Sequence, residues 1–354
     1  MTTRMLVAAT NFLALSLLLA IASSPAFAQN PPARKAAGKK GANEPLGQRD
    51  LFDAPLQGPL PEGGVRLDKQ LKSRYQIGMI IKAVGGPCKG LYGTAPLPTE
   101  WPEQKVQIVE QEYSPQVKSV HFRVLETSVK QMVVEIPMLN AGETARALVT
   151  LEITRSSMLP PEDTAKFVWP EKPDRKVLPY LGPSPYIEST DPKIRSLSKE
   201  ILRDKDQLNA WQKVEAIYDA VREKVKYQDG NLKGALAALR DGNGDCEELT
   251  SLFIATCRAA GVPARTVWVP GHCYPEFYLQ DAAGKGHWFP CQAAGTKDFG
   301  GIPEHRPILQ KGDKIRVPEH KDAQRYAAEY LKGAGLRNGG KPEVEFIRKE
   351  MAAD

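Results

Sequence analysis

One cysteine lies at the end of a glycine-rich turn, where an amphipathic helix is predicted to begin. Residues 242–253 read Gly-Asn-Gly-Asp-Cys-Glu-Glu-Leu-Thr-Ser-Leu-Phe, which places Cys246 on the first helical turn. Helix N-termini carry unpaired backbone N–H groups and partial positive charge, so a thiol there ionises more readily than a free cysteine, whose pKa is about 8.5. His272, at the start of a strand-like segment, supplies a base. A cysteine and a histidine are the minimal set for covalent acyl transfer.

The helix that carries Cys246 has signals at both ends. Asp245 can cap it, Glu248 completes a capping box, and Gly261-Val262-Pro263 ends it. Residues of its buried side recur at helical spacing: Leu249, Leu252, Phe253, Thr256, Cys257 and Ala260. This pattern predicts a buried or half-buried helix, which would put Cys246 at the floor of a cleft. Cys257 is expected to be a buried structural cysteine.

Several short segments around these residues form a recognisable pattern. They are Gly244-Asp245-Cys246, Leu252-Phe253, the run from Cys257 to Arg265, His272, and Trp288-Phe289-Pro290. Together they resemble the core of the transglutaminase-like superfamily, whose fold is related to that of papain-like cysteine proteases. The resemblance runs from about Asp191 to about Gln292. It implies that Cys246 is the nucleophile, that His272 is the general base and that no metal or organic cofactor takes part. The backbone N–H of Cys246 would then contribute to an oxyanion hole.

The third position of the family's site differs in this chain. Where the family usually has Trp-x-x-x-Asp, residues 288–292 read Trp-Phe-Pro-Cys-Gln. The amide oxygen of Gln292 can accept a hydrogen bond from Nδ1 of His272 and orient the ring, but it supplies no negative charge to stabilise an imidazolium. Gln292 is therefore either a working third member or the sign of a site that has lost its chemistry. Glu276 and Asp281 are less suitable substitutes, one several residues up the strand and the other in a turn.

The resemblance implies an enzyme that acts on an amide bond of a protein or peptide, as a peptidase, an amidase or a transglutaminase-like acyltransferase with a Cys-His-Gln site. Hydrolysis is the simpler expectation, because water is always available as the second nucleophile. The alternative is a catalytically inactive binding or assembly module of the same fold. Neither the substrate nor the oligomeric state can be read from the sequence.

The first residues predict export. Arg4 precedes an apolar stretch from Phe12 to Ile21, and residues 23–29 read Ser-Ser-Pro-Ala-Phe-Ala-Gln. These are the three regions of a secretory signal peptide, with cleavage expected near Ala28. The mature protein is therefore expected in the periplasm or outside the cell, an uncleaved signal anchor being the alternative. No later apolar run is long enough to span a membrane.

The charge of the chain does not indicate a nucleic-acid partner. The formal net charge is +6, and removal of residues 1–28, which contain Arg4 and no acidic residue, leaves +5. The nearest basic residues after that point lie in an Ala-, Gly- and Pro-rich stretch that reads as a solvated linker. Basic and aromatic residues are not interleaved as on nucleic-acid surfaces, so this partner class is excluded.

The remaining length predicts two domains in an α+β protein. Strand-length runs at Tyr75 to Val84, 105–111, 117–125, 131–136 and 145–153 indicate a β-sandwich-like domain, and helices followed by antiparallel strands indicate the papain-like core. The predicted order is a signal peptide (1–28), a disordered linker (29–65), a β-rich domain (66–155), a Pro-rich connection (156–190), a transglutaminase-like domain (191–318) and a C-terminal helical tail (319–354), with an amphipathic helix near Ala323 to Leu331.

The other cysteines leave two possibilities open. Cys246, His272, Cys273 and Cys291 superficially resemble zinc ligands, but consecutive residues of a strand point to opposite faces, so 272 and 273 do not converge on one ion. If His272 faces Gln292 across a hairpin that turns at residues 281–284, Cys273 lies opposite Cys291, on the face away from the active site. The two would form a disulfide or pack as reduced thiols, with Cys88 and Cys257 unpaired.

Overall fold

The computed structural model describes residues 60–125, 129–336 and 339–351. The predicted signal peptide and most of the predicted linker lie outside these residues. The described residues all belong to one compact unit. Across the described ranges, no helix is long and apolar enough to cross a membrane.

The first part of the fold is an antiparallel β-sandwich. Its strands are β1 (Arg66–Val84), β2 (Cys88–Leu97), β3 (Gln104–Tyr113), β4 (Ser119–Leu125), β5 (Val129–Leu139), β6 (Thr144–Leu159), β13 (Tyr330–Gly335) and β14 (Lys341–Met351). They form two four-stranded sheets in the orders β14-β1-β6-β3 and β13-β2-β5-β4. Alternate residues of β1, at Ile77, Met79 and Ile81, are buried in the core between the sheets. The predicted β-sandwich-like domain is thus confirmed.

The predicted C-terminal helical tail is wrong. Residues predicted as helix near Leu331 belong to β13, and the charged segment after the glycines is β14, which pairs with β1 from Val84↔Lys341 to Arg74↔Met351. Val344 and Phe346 pack against the sandwich core while Glu343 and Glu345, which alternate with them, face outward. Glutamate and lysine favour helices locally, but pairing with a distant strand determines the structure here.

Strand β2 was absent from the sequence prediction, because Gly90, Gly93 and Pro96 lower the strand propensity of this segment. Packing between the two sheets explains why position 93 is a glycine. A Cβ at this position would lie 2.3 Å from Sδ of Met79 on the facing sheet. The glycine therefore permits a close approach of the two sheets.

The second part of the fold lies between β6 and β13 in the sequence and carries four helices and a mixed-length antiparallel sheet. The helices are α1 (Pro192–Leu202), α2 (Ala210–Lys224), α3 (Ala235–Asp241) and α4 (Cys246–Ala259). The sheet strands are β9 (Ala264–Val269), β10 (His272–Gln280), β11 (Gly286–Pro290) and β12 (Gln310–Lys311), in the order β11-β10-β9-β12. A two-residue parallel pair joins β7 (Lys226–Tyr227) to β8 (Asn243–Gly244). This arrangement confirms the predicted α+β class.

The Pro-rich connection is packed onto this sheet. Val168 and Gln280 exchange two backbone hydrogen bonds of 2.7 and 3.0 Å, and a short 3-10 helix forms at Leu178–Tyr180. Helices and sheet share one core, in which α4 is buried along nearly its whole length. The buried helix and the strands on which it packs hold the candidate site.

Candidate active site

Cys246 is the first residue of α4, and the residues before it fix its position. The Asp245 side chain accepts a hydrogen bond from the Glu247 backbone N–H (2.7 Å), and Glu248 accepts one from the Asp245 N–H (3.2 Å). A Cβ at Gly244 would lie 2.4 Å from Cβ of Glu248, so the turn needs glycine. The predicted helix start and capping box are therefore present.

His272 begins β10, directly after Gly271, whose φ of +68° turns the chain into the strand. The Cys246 side chain lies close enough to the ring to raise the pKa of the imidazole. The ring Nε2 lies 2.9 Å from Oε1 of Gln292. Because an amide oxygen only accepts, Nε2 carries the proton here, and Nδ1 is the nitrogen left for Cys246. The sequence interpretation had assigned Gln292 to Nδ1, so the two ring nitrogens are exchanged.

The structure therefore brings Cys246, His272 and Gln292 together, although not in the predicted register. β10 pairs with β11 at Glu276↔Pro290, and continuing this register places Tyr274, not His272, opposite Gln292. The turn between the two strands causes this difference in register. It spans five residues, since the Asp281 N–H donates to the carbonyl of Lys285 (2.9 Å). Gln292 reaches His272 diagonally, across two strand positions.

The shifted register separates the two cysteines predicted to be neighbours. All five cysteines lie in the described ranges and are free thiols, so the Cys273–Cys291 disulfide is absent. Cys291 lies in the core of helices and sheet. Cys273 faces the active site, because its thiol donates a hydrogen bond of 3.7 Å to the backbone oxygen of Cys246. The prediction that both would face away from the site is therefore wrong for Cys273.

The loop that carries Gln292 is held by backbone bonds. The Gln292 N–H donates to the carbonyl of Asp298 (2.8 Å), and the Gln292 carbonyl accepts a hydrogen bond of 2.8 Å from Arg222. The same guanidinium donates to the carbonyls of Ala293 and Gly295. Arg222 is a contributor that the sequence pattern did not indicate, since nothing local relates α2 to this loop.

The electrostatics of the site favour an ionised thiol. A hydrogen bond from Cys273 is the largest cause of the shift in the pKa of Cys246; burial opposes it, and the hydrogen bond to His272 reinforces it, so that the pKa falls to about 4. Burial lowers the pKa of His272, but hydrogen bonds to Cys246 and Gln292 outweigh it and raise the pKa above its ordinary value. A thiolate–imidazolium pair therefore forms as the pH rises above about 4 and is lost when the imidazolium deprotonates.

The carboxylates considered as substitutes for Gln292 are engaged elsewhere. Glu276 is buried and binds Arg265 (2.8 Å) and Lys311 (2.5 Å). Asp281 lies 3.1 Å from Nε2 of His287. Neither is available to His272.

A charged pair that the sequence analysis missed lies close to His272. Arg306 donates to the carboxylate of Glu304 and, at 3.2 Å, to the carbonyl of Pro270, and both side chains interact electrostatically with the Cys246–His272 pair. Their sequence, Glu-His-Arg at 304–306, carried no helix or strand signal. Because Arg306 neutralises Glu304, the pair adds little net charge beside the imidazole.

Gln292 variants test its contact with His272. We expect Gln292→Glu, which keeps the side-chain length and adds a charge, to stabilise the imidazolium and move the alkaline limb of the ion pair, where the imidazolium deprotonates, to higher pH. Gln292→Ala should slow alkylation by about three- to ten-fold, the value of one hydrogen bond. The measurement is the alkylation rate as a function of pH. Identical profiles for all three proteins would show that the 2.9 Å contact has no effect on the pair.

No group of three or more His, Cys, Asp or Glu side chains in the described part of the chain is arranged to hold a metal ion. The residues that could do chemistry here are those of the Cys246–His272–Gln292 chain and the Cys273 thiol.

Comparison with known proteins agrees with this geometry. The family model of the transglutaminase-like superfamily matches residues 195–293, which include all four of these residues. A search of curated proteins found no match.

Among solved structures, the fold is similar to that of a candidate cysteine protease from Cytophaga hutchinsonii. The two chains are 18% identical, with a TM-score of 0.52, and the match covers 82% of this chain and 94% of the other. The periplasmic domain of TgpA from Pseudomonas aeruginosa bound to ethylmercury matches with 14% identity and a TM-score of 0.28, over 58% and 90% of the two chains. A candidate protease from Parabacteroides distasonis matches with 14% identity and a TM-score of 0.26, over 64% and 47%.

Proposed function

We propose that this protein is a thiol-dependent enzyme acting on an amide bond of a protein or peptide, because residues 195–293 match the transglutaminase-like superfamily. The observation that carries the proposal is the row of neighbouring side chains, in which Cys246 and His272 shift each other's pKa and His272 is hydrogen-bonded to Gln292 at 2.9 Å. The low pKa of Cys246, about 4, supplies a thiolate at neutral pH.

In this mechanism, the Cys246 thiolate attacks the carbonyl carbon and forms a tetrahedral oxyanion. The backbone N–H of Cys246, which has no partner within the helix at the start of α4, would bind that oxyanion. The His272 imidazolium gives its proton to the leaving amine as the C–N bond breaks, which leaves a thioester on Cys246. The neutral imidazole then takes a proton from water, the oxygen attacks the thioester, and the thiolate leaves. An amine in place of water would give transfer instead of hydrolysis.

Gln292 keeps the ring oriented through both steps. Its amide oxygen holds the Nε2 proton, so that Nδ1 is the nitrogen that exchanges protons with Cys246, substrate and water. The lack of a carboxylate is offset in part by the Cys273 thiol, which lowers the pKa of Cys246 when its one proton turns from the Cys246 carbonyl to the thiolate. Gln292 thus stabilises the imidazolium of the ion pair, and Cys273 stabilises the thiolate.

A second candidate function is a binding or assembly module without turnover. The neutral amide at position 292 favours it, since an imidazolium receives less stabilisation from an amide than from a carboxylate. We also propose, from residues 1–28 alone, that the protein is exported.

The test is covalent labelling of purified mature protein with an electrophilic acyl mimic, followed by peptide mapping. We expect selective labelling of Cys246 at pH 6, where its thiol is ionised and the four other thiols are not. Hydrolysis of a peptide library, followed by mass spectrometry, then separates the enzyme from the binding module. If Cys246 in the folded protein labels no faster than in denatured protein, the binding module is the better description.

A further inference from the structure

Two cavities meet at the Cys246–His272 pair. One, of about 510 Å³, has Cys246 in its wall, and the other, of about 560 Å³, adjoins it at His272. Both are lined by His272 and Tyr227, and the latter is 57% exposed. An extended chain lying across the thiol would therefore place one flank in each cavity.

The larger cavity, here termed the cationic cavity, has an apolar floor that includes Val225 and Leu249. Its charged lining residues are Arg222 and Lys226, and no acidic residue lines it. Arg222 donates to three backbone carbonyls rather than to a carboxylate. Lys226 is exposed on β7 and makes no salt bridge in the described residues. Both positive charges are therefore available to a bound anion.

The smaller cavity, here termed the acidic cavity, has the opposite balance. Two arginines face four carboxylic acids there, and each arginine is already paired: Arg325 with Glu247, and Arg348 with Glu329. The remaining carboxylates have no cationic partner within the described ranges. Asp229 accepts the Tyr227 hydroxyl (2.8 Å), and Asp245 caps α4. Burial raises the pKa of Asp245 to about 6 and that of Glu247 to about 7, so this side of the thiol carries excess negative charge above about pH 7.

We propose that the cleft selects amide substrates of opposed charge, with a carboxylate on the flank in the cationic cavity and an ammonium or guanidinium on the flank in the acidic cavity. The inference rests on the proposed function, because it takes Cys246 as the point at which the substrate is attacked. Charges on both flanks also fix the direction in which the chain lies, since the reversed substrate would place like charges together.

The test uses three peptides that carry a Michael acceptor in place of the scissile amide and differ only in the flanking residues: Glu and Lys, Lys and Glu, or Ala on both sides. One charged probe should label Cys246 about three- to ten-fold faster than the neutral probe, and the other should label more slowly, since each partly exposed pair contributes modestly. The difference should shrink at high salt. Equal rates for all three overturn the proposal.

Charge-reversal variants locate the effect. Lys226→Glu and Asp229→Lys should each reduce the ratio between the two charged probes, and the double variant should invert it. Lys72→Glu, which changes the net charge equally but lies on the sandwich beside Glu152, should leave the ratio unchanged. An unchanged ratio in the double variant overturns the charge assignment while the proposed function stands. Failure of every probe to label Cys246 overturns both.

Discussion

Replacement of Cys246 with alanine is expected to abolish both covalent labelling and amide turnover. Every step of the proposed reaction passes through a bond to this sulfur, and the other thiols cannot replace it. Cys273 is next to the site, but burial and its hydrogen bond to Cys246 hold its pKa well above the ordinary value, so it remains a protonated thiol. The measurement is intact-mass labelling together with a turnover assay on folded protein.

Two further variants make this result interpretable. His272→Ala should keep the thiol but slow the reaction by about 10²–10⁴, the usual contribution of a positioned acid–base group. Cys257→Ala removes a buried thiol from the same helix and should label normally. Labelling that persists in Cys246→Ala at the wild-type rate would place the reactive thiol elsewhere in the chain.

Replacement of Asp313 with alanine is expected to destabilise the fold by about 3–5 kcal/mol, the cost of leaving a buried ion without its partner. Asp313 is 1% exposed and accepts two bonds from Arg258, at 2.8 and 2.9 Å. It also accepts bonds from the Thr266 N–H (3.1 Å) and the Ser184 hydroxyl (2.6 Å). Its removal therefore leaves a buried guanidinium and two other donors short of an acceptor.

Chemical denaturation measures this effect, and an exposed ion pair provides the matched control. Glu162→Ala breaks a bond of 2.8 Å to Arg66 in which both side chains are largely exposed, so it should change the free energy of unfolding by less than about 1 kcal/mol. If Asp313→Ala costs no more than this control, water enters the site and solvates Arg258. Probe labelling of Cys246 per folded molecule should stay near the wild-type level.

The local features of the site could be predicted from sequence because a few adjacent residues determine them. Asp245 and Glu248 form the capping box with each other, and Gly244 permits their approach. The start of β10 at His272 likewise follows from the glycine before it. These interactions span a few residues, so their outcome depends little on the rest of the fold.

The predictions that the structure contradicts concern residues whose partners are distant in sequence, or depend on small geometric details. A register shift of two residues between β10 and β11 separated Cys273 from Cys291, and the Cys273 thiol instead contacts the backbone of Cys246. The identity of β14 depends on β1, more than 250 residues earlier in the chain. The sequence does alternate apolar and charged residues around Val344 and Phe346, as a strand would. The helix propensity of the charged residues obscured this pattern.

The pairing of β14 with β1 has a consequence for biosynthesis. Strands β1 and β2 leave the ribosome before the Cys246 domain, yet the sheet of each is completed by a strand that follows that domain, β14 or β13. Until those strands emerge, β1 and β2 each have an unpaired edge for the time needed to make the whole intervening domain. Such edges are prone to pair with other chains. We therefore expect that a chain released early, or cut before β13, aggregates even though its Cys246 domain is complete.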